Sequence, residues 1–269
     1  MKPVMVMKAK SSIGIIGVGT IGSIIAERLI SKGYTVYGSR RSKFKFSGMH
    51  TTTDNRMLIK NSDIIIIATK QKDVKELGSS INSALGRKLV ISIMAGVSIS
   101  QIERILGGKM VSRAMTNIAF SDGRAISAFC CNKMLSKSDK ALIKTILSTG
   151  GEVIEIEEKL MDPFTVIDSC AVAFYSMLLN SINVSASKTL GFDPKLAKWI
   201  ILNTMRATLE KASSHDTFEE MIHQVSTKGG MTDAGLNVLK EGDLYGLVDK
   251  AYGAALKRGL ELSSIAEQS

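Results

Sequence analysis

Six residues near the start of the chain, Gly17-Val18-Gly19-Thr20-Ile21-Gly22, have the GxGxxG spacing that lets a backbone approach a pyrophosphate. Gly17 permits a tight turn, Gly19 leaves room for phosphate, and Gly22 lets a helix pack closely on a strand. The spacing alone is weak. Its weight comes from context: the apolar run Ile13–Ile16 precedes it, and a helical pattern follows from Thr20 to Lys32, stopped by Gly33. Amides at that helix start face negative charge. Gly17, Gly19, Thr20, Ile21 and Gly22 are therefore the expected cradle of a dinucleotide.

The end of the next strand indicates which dinucleotide. NAD sites usually place an acid there, about 20 residues on, for the ribose hydroxyls. This chain has Ser39-Arg40-Arg41-Ser42. A carboxylate would repel a 2′-phosphate, whereas guanidinium and hydroxyl groups bind it. Ser39, Arg40 and Arg41 thus point to NADPH, against the alternative of a solvated loop that happens to hold arginines.

Other chemistry is poorly supported. His215 and His223 lie eight apart with no cysteine or carboxylate at metal-ligand spacing, so no metal is expected and surface or capping roles are. Cys130, Cys131 and Cys170 form no CxxC pair, and their odd count argues against a disulfide framework. Buried thiols in a reducing cytoplasm fit them. The net charge of +10 is spread along the chain without a basic block or interleaved aromatics. An anionic cofactor or substrate explains it better than nucleic acid.

The elements that must position these groups fall into two sets. In this 269-residue chain, short β-branched runs alternate with amphipathic stretches from Ser12 to about Glu158. Strands are expected at Ile13–Ile16, Thr35–Tyr37, Asp63–Ala68, Lys88–Ile93, Lys109–Ala114, Ala125–Cys131 and Glu152–Ile156, with a helix at Ser136–Leu147. That alternation predicts a doubly wound, mostly parallel sheet of Rossmann type with helices on both faces. After Glu158 only helices are expected. The first runs from Pro163 to Leu190, and the second opens at Asp193-Pro194 and runs to about Ala212. Thr217 with Glu220 caps the third, and Thr232–Lys240 and Asp243–Ser263 follow. The fold class is therefore α/β with an all-helical C-terminal domain, divided into residues 1–158 and 159–269. The long first helix is apolar on most sides, which a small helical domain cannot bury alone, so a homodimer or larger homo-oligomer is expected. The opening MKPVMVMKAK is too short and lysine-broken for a signal peptide. Apolar runs such as Ile64–Ala68 are far below the ~20 residues of a membrane span, so a soluble cytoplasmic protein is expected, with no membrane partner.

Further segments resemble pyrroline-5-carboxylate reductases from end to end. Val90–Ile99 (VISIMAGVSI) resembles the family's VISIxAGV strand and turn, and Arg113–Asn117 its RxMxN segment. Ala68-Thr69-Lys70 is similar to the AVKP turn, with Gln71 in place of proline. Asn55 falls where the family carries a cofactor-contacting asparagine, and Glu158–Asp162 resembles the domain junction. Thr227-Lys228-Gly229-Gly230-Met231-Thr232-Asp233-Ala234-Gly235 resembles the SPGGTTxxG loop, with Ala251, Ala255, Arg258 and Glu261 in fitting positions after it.

The resemblance implies that Asn55, Ala68, Thr69 and Lys70 join the cofactor site. It also implies that Asn117, Thr227, Gly229 and Gly230 bind a cyclic imino acid, the two glycines through their amides; Lys228 is expected beside the substrate carboxylate only from its charge and its place in the loop. Thr232 would be the catalytic hydroxyl at the ring nitrogen, and the reaction the NADPH-dependent reduction of 1-pyrroline-5-carboxylate to L-proline. Four departures bear on substrate: Lys228 stands for proline, Met231 for a small residue, Ile118-Ala119 for Thr-Pro, and Asp168–Ala173 for SGSGPA. The alternatives are a related cyclic-imine reductase of different preference and a non-catalytic NADP-binding homologue. A β-hydroxyacid dehydrogenase shares the N-terminal layout, but Lys188 is followed four residues later by Phe192 rather than by that group's asparagine.

Overall fold

Runs of branched aliphatic side chains, four or five residues long, build the centre of the molecule. β1 (Ile13–Ile16), β4 (Ile64–Ile67), β5 (Leu89–Ser92) and β6 (Val111–Met115) are buried at every position, as strands covered on both faces must be. With β2 (Val36–Ser39), β3 (Met49–Thr52), β7 (Ala125–Cys131) and β8 (Gly151–Glu155) they form one eight-stranded sheet in the order 3-2-1-4-5-6-7-8. Every neighbouring pair is parallel except β6 with β7. The computed structural model describes residues 11–215 and 217–268, so the opening segment Met1–Lys10 lies outside them.

Pleating sorts the aliphatics onto two cores. Ile13, Ile15, Ile64 and Ile66 face Ile25 and Leu29 of α1 (Thr20–Ser31) and Ile143 and Ile146 of α5 (Lys137–Leu147). Ile16, Ile65 and Ile67 face Leu58 of α2 (Asn55–Lys60), Ile81 and Leu85 of α3 (Val74–Leu85) and Ile102 of α4 (Ile99–Leu106). Each fully buried isoleucine stabilises the fold by roughly 1.5–3 kcal/mol. Strand β3 and helix α2 were not anticipated. Only Met49 of β3 is buried, so this edge strand lacks the apolar signature of its neighbours.

The chain divides into two compact units. One extends to Cys170 and includes the stretch from Ala255 onward; the other is Ala171–Ala254. Beyond Glu158 the described residues hold helices only: α6 (Met161–Thr165), α7 (Ala171–Lys188), α8 (Pro194–Ala212), α9 (Phe218–Val225), α10 (Met231–Glu241) and α11 (Leu244–Gln268). The expected single helix from Pro163 is interrupted by a π turn at Val166–Cys170 between α6 and α7. Asp193 caps α8 through Lys195 N and Leu196 N ahead of Pro194, and Thr217 and Glu220 form the anticipated capping box of α9.

The second unit exposes much apolar surface, including Met177 at 77% and Trp199 at 64%. The helical run Glu158–Lys188 is long and apolar enough, by length and composition, to cross a membrane, and little of its most apolar stretch is buried. The expectation that no stretch reaches that length is corrected here. Isolated serines and asparagines break the run in the sequence without lowering its average enough.

Candidate functional site

The glycine loop follows β1 and opens α1. Gly17 sits at φ +96°, and a Cβ there would lie 2.8 Å from the Ala68 carbonyl. At Gly22 a Cβ would come within 2.4 Å of Gly17 O. Gly19 differs: its Cβ direction meets nothing within 4 Å. No side chain caps α1 at Gly19, so the first-turn amides of Thr20, Ile21 and Gly22 keep the donors a helix N-terminus leaves over. The amides of Gly17 and Val18 both donate to Ser39 O at 3.0 Å, tying the loop to the end of β2. An open, uncapped helix start beside tightly packed glycines fits a pyrophosphate.

Ser39 is buried, and its hydroxyl donates to Asn55 Oδ1 at 2.5 Å. Asn55 is held at the first position of α2 because Asp54 accepts from Arg56 N and Met57 N. The two arginines diverge. Arg40 lies over the Phe44 ring, 4.6 Å from its centroid, with Nε donating to Ser42 O at 3.3 Å. Arg41 donates to Asp73 Oδ1 at 2.8 Å and to Glu76 Oε2 at 3.5 Å. Of the pair expected at a 2′-phosphate, Arg41 is already met by carboxylates.

Ala68, Thr69 and Lys70 leave the end of β4. Ala68 N donates to Ile16 O at 2.8 Å, Thr69 Oγ1 contacts Met94 Sδ at 3.5 Å, and Lys70 precedes a short 3-10 turn. Because β1, β2, β4, β5 and β6 run parallel, the segments after them gather at one carboxyl edge, where dinucleotide sites form. Asn117 belongs to that edge, two residues beyond β6. Its Oδ1 accepts from Ala119 N at 2.9 Å and its Nδ2 donates to Asp168 Oδ1 at 2.8 Å. Asp168 lies half-buried on the π turn, and burial raises its carboxyl above the ordinary value against the opposing hydrogen bonds from Ser169 and Asn117. Ser169 Oγ also donates to Thr116 O at 2.9 Å. Arg113 of the same segment is buried and paired with Asp162, so it ties β6 to α6.

The Thr227–Gly235 loop lies in the second unit. Gly230 caps α10, and Thr232 is its exposed second residue. Lys228 is exposed, and Met231 is 95% exposed. Gly229, at φ +76°, donates its amide to Asp233 Oδ2 at 2.8 Å, and Gly230 N donates to Thr227 O at 2.9 Å. Both amides expected to hold a substrate carboxylate are thus engaged within the loop. The role of Asp233 was missed, although an acid in the first turn after paired glycines is a capping signal.

His215 Nδ1 contacts Lys211 O at 3.0 Å and Nε2 contacts Gln224 Oε1 at 3.0 Å, a helix-end role. Among the described residues no group of three His, Cys, Asp or Glu could hold a metal ion. Cys130 is buried, with its thiol pushed up to about 12 by burial.

Comparison with known proteins follows these two regions. The family described as pyrroline-5-carboxylate reductase dimerisation matches residues 158–262, and the family described as NADP oxidoreductase coenzyme F420-dependent matches residues 12–96. A pyrroline-5-carboxylate reductase of Synechocystis is 29% identical over 93% of this chain and 97% of its own length. The crystal structure of Plasmodium falciparum pyrroline carboxylate reductase with NADP bound superposes with a TM-score of 0.90 at 25% identity, over 95% of this chain and 99% of that one. A Coxiella burnetii pyrroline-5-carboxylate reductase gives a TM-score of 0.81 at 28% identity, over 94% and 98%.

Proposed function

We propose that this chain, similar over most of its length to pyrroline-5-carboxylate reductases, reduces 1-pyrroline-5-carboxylate to L-proline with NADPH. The observation that carries this reading is the glycine cradle at the carboxyl edge of the sheet, followed by a helical region that matches the family's dimerisation model.

NADPH supplies the hydride for the imine carbon. The chain supplies binding and orientation, which suffice for an iminium that is already electrophilic. The amides after Gly19 hold the pyrophosphate. Ser39, Arg40 and Asn55 hold the 2′-phosphorylated ribose, with Arg41 a weaker contributor because of Asp73. Ala68, Thr69 and Lys70 would join the same cofactor site. Thr232 places its hydroxyl at the ring nitrogen and passes a proton there from water. Thr227 and Lys228 are proposed contacts of the imino acid, and Asn117 is proposed as another on separate grounds. The Gly229 amide joins them once Asp233 releases it.

The functional division falls near Glu158, with residues 159–269 as the pairing domain of a homo-oligomer. The exposed apolar helices of the second unit are the natural contact, and their role in pairing accounts for the hydropathy of Glu158–Lys188 without a bilayer. A cytoplasmic location suits such an enzyme.

A second reading keeps the chemistry and changes the substrate. It is favoured by Asp168, a carboxylate hydrogen-bonded to Asn117. NADPH oxidation with a panel of pyrroline and piperideine carboxylates, run beside Thr232→Ala, separates the two. Tight NADPH binding without turnover of any cyclic imine would leave only a non-catalytic dinucleotide binder.

A further inference from the structure

Asn117 has its amide fixed at both ends. Ala119 N donates to its Oδ1 at 2.9 Å, and its Nδ2 donates to Asp168 Oδ1 at 2.8 Å. A backbone amide can only donate and an ionised carboxylate can only accept, so a flipped side chain would face donor to donor and acceptor to acceptor. The two partners therefore specify one orientation. One Nδ2 hydrogen and one Oδ1 lone pair are left over for other partners.

The acceptor side of this clamp is built by an irregularity. Val166–Cys170 is a single π turn between two α-helical stretches, and Asp168 is its central residue. Such insertions are rare and concentrate at functional sites. The turn is anchored to the segment it serves, because Ser169 Oγ donates to Thr116 O at 2.9 Å, one residue before Asn117. Arg113 and Asp162, the ionised groups on β6 and α6 beside this turn, are paired with each other. Asp168 thus has Asn117 and Ser169 as its hydrogen-bonding neighbours.

We infer that Asp168 is a positioning residue for the reductase reaction, holding the Asn117 amide in the one orientation that the bound imino acid requires. The inference rests on the reading of the protein as a cyclic-imine reductase with Asn117 at the substrate.

The test is a double-mutant cycle on kcat/KM for 1-pyrroline-5-carboxylate, with Asp168→Ala, Asn117→Ala and the double variant, plus Asp168→Asn as the conservative replacement. Loss of a hydrogen bond to a charged partner predicts about a ten-fold fall for Asp168→Ala. Most of it should lie in kcat/KM for the imine, with the Kd for NADPH unchanged. Asp168→Asn, whose carbonyl still accepts from Asn117, should stay within about three-fold of wild type. In the Asn117→Ala background, removing Asp168 should change kcat/KM no further. Should Asp168→Ala fail to fold, Asp168→Ser, too short to reach Asn117, takes its place. Full additivity of the two alanine variants, or a fall in thermal stability with kcat/KM intact, overturns the inference. If wild type itself reduces no cyclic imine, the proposed function and this inference fall together. That outcome is distinct from an active wild type with an additive cycle.

Discussion

The hydroxyl of Ser39, at the end of β2, donates to the side-chain oxygen of Asn55, at the start of α2, over 2.5 Å. Two residues chosen from the sequence for separate reasons are thus one unit. With its oxygen held by Ser39, Asn55 keeps both amide hydrogens and one oxygen lone pair for a ligand, in a fixed orientation. Ser39→Ala frees that amide to rotate. It should raise the Kd for NADPH about three- to ten-fold, the range set by one hydrogen bond of ordinary strength. Fluorescence titration of the cofactor reads this directly.

The two arginines after Ser39 should not be equivalent. Arg41 is held by Asp73 and Glu76, whereas Arg40 rests on Phe44. Arg40→Ala should lower the preference for NADPH over NADH by about ten-fold or more, as loss of a charge-assisted phosphate contact does. Arg41→Ala should change it by less than half as much on a logarithmic scale. Equal losses in the two variants would show that Arg41 leaves its carboxylates when cofactor binds.

Arg113 is buried, its side chain 3% exposed, and Asp162 is its counter-ion. Removing one partner of a buried pair leaves an uncompensated charge. Asp162→Ala should therefore destabilise the protein by about 3 kcal/mol or more in chemical denaturation. Replacing both with apolar residues of similar volume should recover much of that.

Asp63 accepts from both the amide and the hydroxyl of Ser12, each at 2.8 Å, and these bonds hold its carboxyl below the ordinary 3.8. A depressed carboxyl stabilises the folded state above its unfolded pKa, and that contribution is lost as pH falls through the folded value. The gap in Tm between wild type and Asp63→Asn should be open at neutral pH and should close as pH drops below 3.8.

Cys130 should behave as an inert thiol. With its thiol pushed up to about 12, it is protonated at any working pH, and it is buried as well. Alkylation at pH 8 should leave it unlabelled in the native protein and label it fully after unfolding.

What could be read from residue order alone follows from what each signal measures. The central strands were legible because Ile64–Ile67 and its neighbours are buried on both faces and need unbroken aliphatic runs. Edge strand β3 was not, since His50, Thr51 and Thr52 carry no such constraint. Caps were legible at Asp193 and Thr217 because they depend on residues two or three apart. The π turn at Asp168 was hidden, since its hydrogen-bond partners lie in the segment after β6, some fifty residues away. The glycine cradle and Ser39 came from local spacing. The engagement of Arg41 by Asp73, and of the Gly229 amide by Asp233, required knowing which charges the fold brings alongside.

The chain has a single tryptophan, and Trp199 of α8 carries its indole largely in solvent on an apolar face. If subunit pairing covers α8, that indole reports it optically. A covered indole emits to the blue of a wet one, so the emission maximum should move red on dilution through the association midpoint, with no dye or tag attached.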